Sequence, residues 1–132
     1  MKVTESFLQS MHELRNYGVV QAKNWPRSMY VKLLKCGKLE VPVLVKGEEE
    51  LHWSPSLIDP QSKWVVIQKG EDIYSDTFGA VLLEKKEVYH NSWRVGMKLV
   101  KKRNNNLKLI LTNGKKVDYF PTIPDILRLG WA

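Results

Sequence analysis

The chain has a single cysteine, Cys36, in 132 residues. No disulfide can form within it, which excludes a cross-linked scaffold and suits a reducing compartment. Long apolar runs are also missing. No stretch approaches the roughly 18 residues that a spanning helix needs, and no secretion-signal core follows Met1-Lys2-Val3-Thr4-Glu5-Ser6-Phe7. The expectation is a soluble cytoplasmic protein with no membrane partner. Acidic side chains are the scarcer charge, with 14 Asp and Glu against 21 Lys and Arg; the net charge is +7 and the pI about 9.5. Such a balance favours an anionic partner without fixing its class.

Catalytic patterns are missing as well. There is no phosphate-cradling glycine-rich loop, paired-histidine metal motif or nucleophile elbow, and His12, His52 and His90 are scattered. A non-enzymatic protein is expected, with no catalytic residue, no metal ligand and no cofactor.

Aromatics are what the chain does have, five of them tryptophan. Trp53-Ser54-Pro55-Ser56-Leu57-Ile58-Asp59 runs on to Trp64, and Tyr119-Phe120-Pro121-Thr122-Ile123-Pro124-Asp125 runs on to Trp131. Pro to Asp is four residues in both stretches, and Pro to the closing Trp is nine in one and ten in the other. Upstream, Trp25 precedes Met29 by four and Trp93 precedes Met97 by four. Trp25 to Pro55 is 30 residues and Trp93 to Pro121 is 28, whereas Phe7 to Trp25 is 18 and Phe78 to Trp93 is 15. An internal duplication accounts for this order, the second leading helix being about one turn shorter.

The elements follow the same plan. Phe7, Leu8, Met11 and Leu14 mark one face of a helix over about residues 5 to 16, with Thr4 or Ser6 as cap and Gly18 past its end. Strands are expected over 19–23, 29–34, 39–45, 50–53 and 64–68, with Pro42 implying an edge strand or a bulge. In the second half a helix is expected over 78–85 and strands over 97–102, 107–112 and 115–120. Asn113-Gly114 joins the last two as a hairpin whose residues both tolerate positive φ. The fold class is therefore α+β: two tandem copies of a small unit, each with one N-terminal helix packed on an antiparallel sheet of about four to five strands. The units are expected at 1–68 and 72–132, joined by the polar stretch Gln68–Asp72. Each is small enough to be marginal alone, so the two should pack together.

Candidate binding residues lie in the two turns and the two closing segments. A flat Trp beside Asn and Arg suits stacking on a nucleobase and gripping phosphate or ribose. This selects Asn24, Trp25 and Arg27 in the first half, and Asn91, Trp93 and Arg94 in the second. Core packing explains the Trp rings equally well. Ser56-x-x-Asp59 and Thr122-x-x-Asp125 have the spacing of a helix N-cap followed by an acidic residue, and Ser56, Asp59, Thr122 and Asp125 could equally accept ligand hydroxyls. Lys98, Lys101, Lys102 and Arg103 form a basic run, read as a solvated strand face or, alternatively, as a nucleic-acid contact.

Taken together, Phe7, Trp25, Met29-Tyr30, Trp53-Ser54-Pro55-Ser56, Asp59 and Trp64 resemble the second-type Thoeris anti-defence family of small bacteriophage and prophage proteins. The pattern returns in Phe78-Gly79, Trp93, Gly96-Met97, Tyr119-Phe120-Pro121-Thr122, Asp125 and Trp131, so the resemblance covers nearly the whole chain as two copies. It implies a sponge that binds a cyclic nucleotide-derived immune signal, such as a cyclic ADP-ribose isomer or a cyclic dinucleotide, without cleaving it in the host bacterial cytoplasm. Single-domain members of the family form homotetramers, so a dimer of this chain would be a pseudo-tetramer. The chain departs from the family in carrying two copies, and in having Ala22 and His90 where a basic residue precedes the turn Trp. Readings from other classes are a small basic nucleic-acid-binding phage protein and a non-enzymatic assembly subunit.

Overall fold

The computed structural model describes residues 2–55 and 59–132. Its first helix, α1 (Glu5–Arg15), starts where Thr4 Oγ1 accepts a hydrogen bond from the Phe7 amide at 3.1 Å, so Thr4 is the cap. Phe7, Leu8, Met11 and Leu14 are all buried. They rest on an antiparallel sheet of β1 (Val19–Ala22), β2 (Met29–Cys36), β3 (Leu39–Lys46), β4 (Glu49–His52) and β5 (Trp64–Gln68), in the order β4-β3-β2-β1-β5. A 3₁₀ turn, Asp59–Gln61, precedes β5.

The second half has a shorter helix and a smaller sheet. Helix α2 (Phe78–Glu84) is capped by Thr77, whose Oγ1 accepts from Ala80 N at 3.2 Å. The sheet β6 (Glu87–Val88), β7 (Lys98–Lys101), β8 (Leu107–Ile110) and β9 (Lys116–Asp118) is antiparallel in sequence order. The last helix is α3 (Ile123–Leu127). The fold is α+β: α1 packs on the five-stranded sheet, while α2 packs chiefly on α1 and touches the four-stranded sheet at β6. Among the described residues, no helix is long and apolar enough to cross a membrane.

Three expectations need correction. Pro42 lies on an interior strand, paired with Leu33 and without a bulge. It is tolerated there because β4 stops at His52, opposite Val43, so no β4 residue needs a donor from position 42. The Asn113-Gly114 hairpin forms, but only Gly114 has positive φ, +84°. Leu111 N instead bonds Lys115 O at 2.9 Å, which widens the loop and shortens both strands to 107–110 and 116–118. The second-half strand expected from Met97 begins at Lys98; the Met97 amide bonds Arg94 O at 3.1 Å, as the Met29 amide bonds Pro26 O at 3.0 Å.

The two halves share one core. Val3, Leu8 and Met11 of the first belong to the same buried cluster as Phe78, Leu82, Leu99 and Ile126 of the second. The polar connector is fastened rather than loose. Buried Asn16 donates to His12 O and Tyr74 O, and accepts from Tyr74 N at 2.9 Å and Ile73 N at 3.3 Å. Glu13 Oε2 accepts from Gly70 N at 2.7 Å. Arg15 ties α1 to both halves, pairing with Glu40 at 3.0 Å and donating to Leu127 O.

Helices α1 and α2 cross in contact at Gly79. A Cβ there would collide with Leu8 O and lie 2.8 Å from His12 N, so the crossing distance depends on a glycine. Gly79→Ala should therefore destabilise the protein by about 1–3 kcal/mol, as overpacking does. Denaturant unfolding measures this, and an unchanged midpoint would show that the helices can separate freely.

Candidate functional site

The closing tryptophans organise both turns. Trp64 sits edge-on to Phe7 at 5.7 Å, Trp25 at 5.3 Å and Trp53 at 5.9 Å. Trp131 sits edge-on to Phe78 at 5.3 Å and Trp93 at 5.3 Å. The backbone around them matches as well. Ala22 pairs with Trp64 and His90 with Trp131; the Trp25 and Trp93 amides each bond the carbonyl three residues back at 3.0 Å. Lys23 N bonds Lys63 O at 2.8 Å, and Asn91 N bonds Gly130 O at 3.1 Å. Trp25 and Trp93 thus stand half-buried, each on a turn braced by its closing Trp.

Counting from these anchors shows where the halves differ. Asn24 matches Ser92 and Asn91 matches Lys23, while Arg27 matches Val95 and Arg94 matches Pro26. In the second half, Asn91, Trp93 and Arg94 line one open groove of about 420 Å³ together with Tyr89, His90, Val95, Met97 and Lys98. Its volume falls in the range of small-ligand sites. Tyr89 is half-exposed, Val95 is 99% exposed, and Arg94 and Asn91 are exposed at the rim. Such a wall offers apolar contact to a planar ring and donors to an anionic tail.

In the first half the corresponding residues are separated. Asn24 lines a hollow with Lys23, Ser62 and Lys63, while Arg27 lines another with Val19, Tyr30, Lys32 and Ile67 on the sheet's outer face. Ser56 lies outside the described residues. Asp59 opens the 3₁₀ turn.

Thr122 and Asp125 are engaged within the fold. Thr122 caps α3, its Oγ1 accepting from Asp125 N at 3.3 Å. The Asp125 carboxylate accepts from Tyr119 OH and from Arg128 Nη2, the latter at 2.6 Å, and Asp125 O accepts from Trp131 Nε1 at 3.1 Å. Neither residue lines the Trp93 groove.

Two residues near that groove escaped selection by sequence. Arg128 stacks over Trp93 at 5.8 Å and Trp131 at 5.4 Å, and its Nε is buried without a partner among the described residues. It lies three before the closing Trp, and that spacing was the available signal. His90 is buried, with Nδ1 accepting from Ser92 N at 3.1 Å. Nδ1 also lies 2.6 Å from Ser92 Oγ, and Nε2–H donates to Leu129 O at 2.6 Å. This fixes the imidazole edge against Trp131 at 5.3 Å.

The basic run is partly consumed internally. Lys98 pairs with Glu87 at 3.1 Å, and Lys101 donates to Leu82 O, where burial lowers its pKa. Among the described residues, no three His, Cys, Asp or Glu side chains gather as a metal site requires. Compared with known proteins, the chain matches no family model, no curated protein and no solved structure.

Burial and the hydrogen bond to Asp125 push the Tyr119 phenol far above its ordinary value of 10.0. Since the folded value is raised, its contribution is intact below the unfolded value and is lost as pH climbs above about 10. Stability should fall above that pH, and Tyr119→Phe should lessen the fall. Unfolding curves across alkaline pH, with ultraviolet titration of the phenols, test this; Tyr119 ionising with the exposed tyrosines contradicts it.

Proposed function

We propose that this chain binds and sequesters an anionic cyclic nucleotide signal, a cyclic ADP-ribose isomer or a cyclic dinucleotide, without cleaving it. On this reading it is a fused pair of anti-defence units resembling the second-type Thoeris family, acting in the cytoplasm of a phage-infected bacterium. The observation that carries it is the groove in which Asn91, Trp93 and Arg94 meet beside Tyr89 and Met97. Tyr89 and the exposed flank of Trp93 offer stacking surface, Asn91 reaches ribose or base edges, and Arg94 reaches phosphate. Arg128 holds the Trp93 ring from the inner side, so the ring is oriented before ligand arrives.

Sequestration needs only affinity. Holding a signal below an effector's threshold calls for a nanomolar Kd, about −12 kcal/mol. A stacked base and several charge-assisted hydrogen bonds can supply that when the walls are preformed. The pseudo-tetramer that a dimer of this chain would form belongs to the same proposal.

A nucleic-acid function would instead draw on Lys101 and Lys102, and the inward turn of Lys101 weighs against it. Binding whose affinity collapses with salt and which ignores the small molecules would favour that alternative.

Calorimetric titration should show saturable binding of at least one cyclic ADP-ribose isomer or cyclic dinucleotide. Arg94→Ala should weaken it about tenfold, the scale of a contact worth somewhat over 1 kcal/mol. The melting temperature should stay unchanged, because Arg94 is exposed and has no ion-pair partner among the described residues. No heat with any of these ligands, or an Arg94→Ala affinity equal to the parent's, would contradict the proposal.

A further inference from the structure

Among the described residues, charged side chains set directly opposite one another on paired strands carry unlike signs. Lys35 faces Glu40, Lys46 faces Glu49 and Lys108 faces Asp118. One place breaks this rule. Strands β1 and β5 pair Ala22 with Trp64, and the backbone carries the pairing one step further, Lys23 N donating to Lys63 O at 2.8 Å. Two exposed lysines thus stand opposite each other where the sheet ends. Like charges so placed are destabilising. Neither has an ion-pair partner among the described residues.

The pair lines two adjoining hollows. The smaller, of about 460 Å³, has Asn24 on its wall. The larger, of about 520 Å³, lies between Trp64, the start of α1 and Asn105 of the second half. A third lysine, Lys2, lines the larger hollow. It is placed by its bridge to Asn106 and by Val3 N donating to Asn105 O at 2.9 Å. Three ammonium groups therefore line this hollow against one carboxylate, Glu5, which also attracts Lys101.

The segments that carry these lysines are tied to one another. Thr4 N donates to Pro60 O and Thr4 Oγ1 to Ser62 O, both at 2.9 Å. Ser6 Oγ accepts from Trp64 N, also at 2.9 Å. The charges are thus gathered by the fold and left unneutralised within it, which is what an anion from solution would relieve.

We propose that the hollow lined by Lys2, Lys23 and Lys63 is an anion site of the first half, taking a small molecule that carries two linked phosphate groups. Lys23 and Lys63 hold one phosphate between them, and Lys2 holds the second by a charge-assisted hydrogen bond. The site shares no residue with the Trp93 groove and stands independently of what that groove binds.

Calorimetric titration with sodium pyrophosphate at low salt should show saturable binding, with inorganic phosphate at equal ionic strength about tenfold weaker. Lys23→Gln with Lys63→Gln should weaken pyrophosphate binding by about tenfold or more. Arg94→Ala should leave it intact, and so should Lys115→Gln with Lys116→Gln, which removes the same charge from the far sheet. Without ligand, the Lys23→Gln, Lys63→Gln protein should melt above the parent at low salt and lose that advantage as salt rises, since the opposed charges are gone. The Lys115→Gln, Lys116→Gln protein should show no such gain. The proposal is overturned by absence of saturable binding, by phosphate binding as tightly as pyrophosphate, by equal losses in the two double variants, or by loss of binding in Arg94→Ala.

Discussion

Each half of the molecule depends on a closing tryptophan wedged edge-on between a helix phenylalanine and a turn tryptophan. Trp64 and Trp131 are nearly fully buried, at 5% and 3% exposure. An aromatic of this size buries roughly 150–250 Å², and each edge-to-face pair adds about 0.5–1.5 kcal/mol. More than energy is fixed by the wedge. It sets the height of the helix over the sheet, the pose of the turn, and the return of the chain beside the first strand. The half-exposed rings of Trp25 and Trp93 are consequences of it, because each has one edge committed inward and a flank left for solvent.

The halves use this device to different ends. In the second, His90 and Arg128 replace the neutral Ala22 and Gln61 of the first, and they brace Trp131 and Trp93 from the side and above. Arg128 in turn takes up Asp125. The result is a groove whose Trp93 ring is held by packed neighbours. In the first half Lys23 and Arg27 line two separate hollows, and Arg27 faces the outer side of the sheet. One chain thus carries two related turns of unlike chemistry, fastened together by Asn16, Glu13 and the α1–α2 crossing.

Much of the fold was legible because it follows from spacing. The Thr4 cap, the apolar face of α1, strand β5 over 64–68 and the helix shortened by a turn all rest on local pattern. So do the Trp-to-Met turns, where hydrogen bonds run within a few residues. What escaped depends on partners far along the chain. Pro42 looked like an edge residue because nothing local reveals where β4 stops. Lys101 looked like a free cation because Leu82 O is nineteen residues away. Arg128 gains meaning only when Trp93, 35 positions earlier, is folded beneath it. Of the selected site residues, Asn91, Trp93 and Arg94 line one groove.

The central claim is that the molecule holds an intact anionic nucleotide and does no chemistry on it. Mass spectrometry of small molecules released by denaturing protein purified from signal-producing cells tests this most directly. The account predicts a cyclic nucleotide recovered unaltered and in stoichiometric amount, and absent from protein carrying Arg94→Ala. Recovery of a hydrolysed product, or of no nucleotide at all, would contradict it.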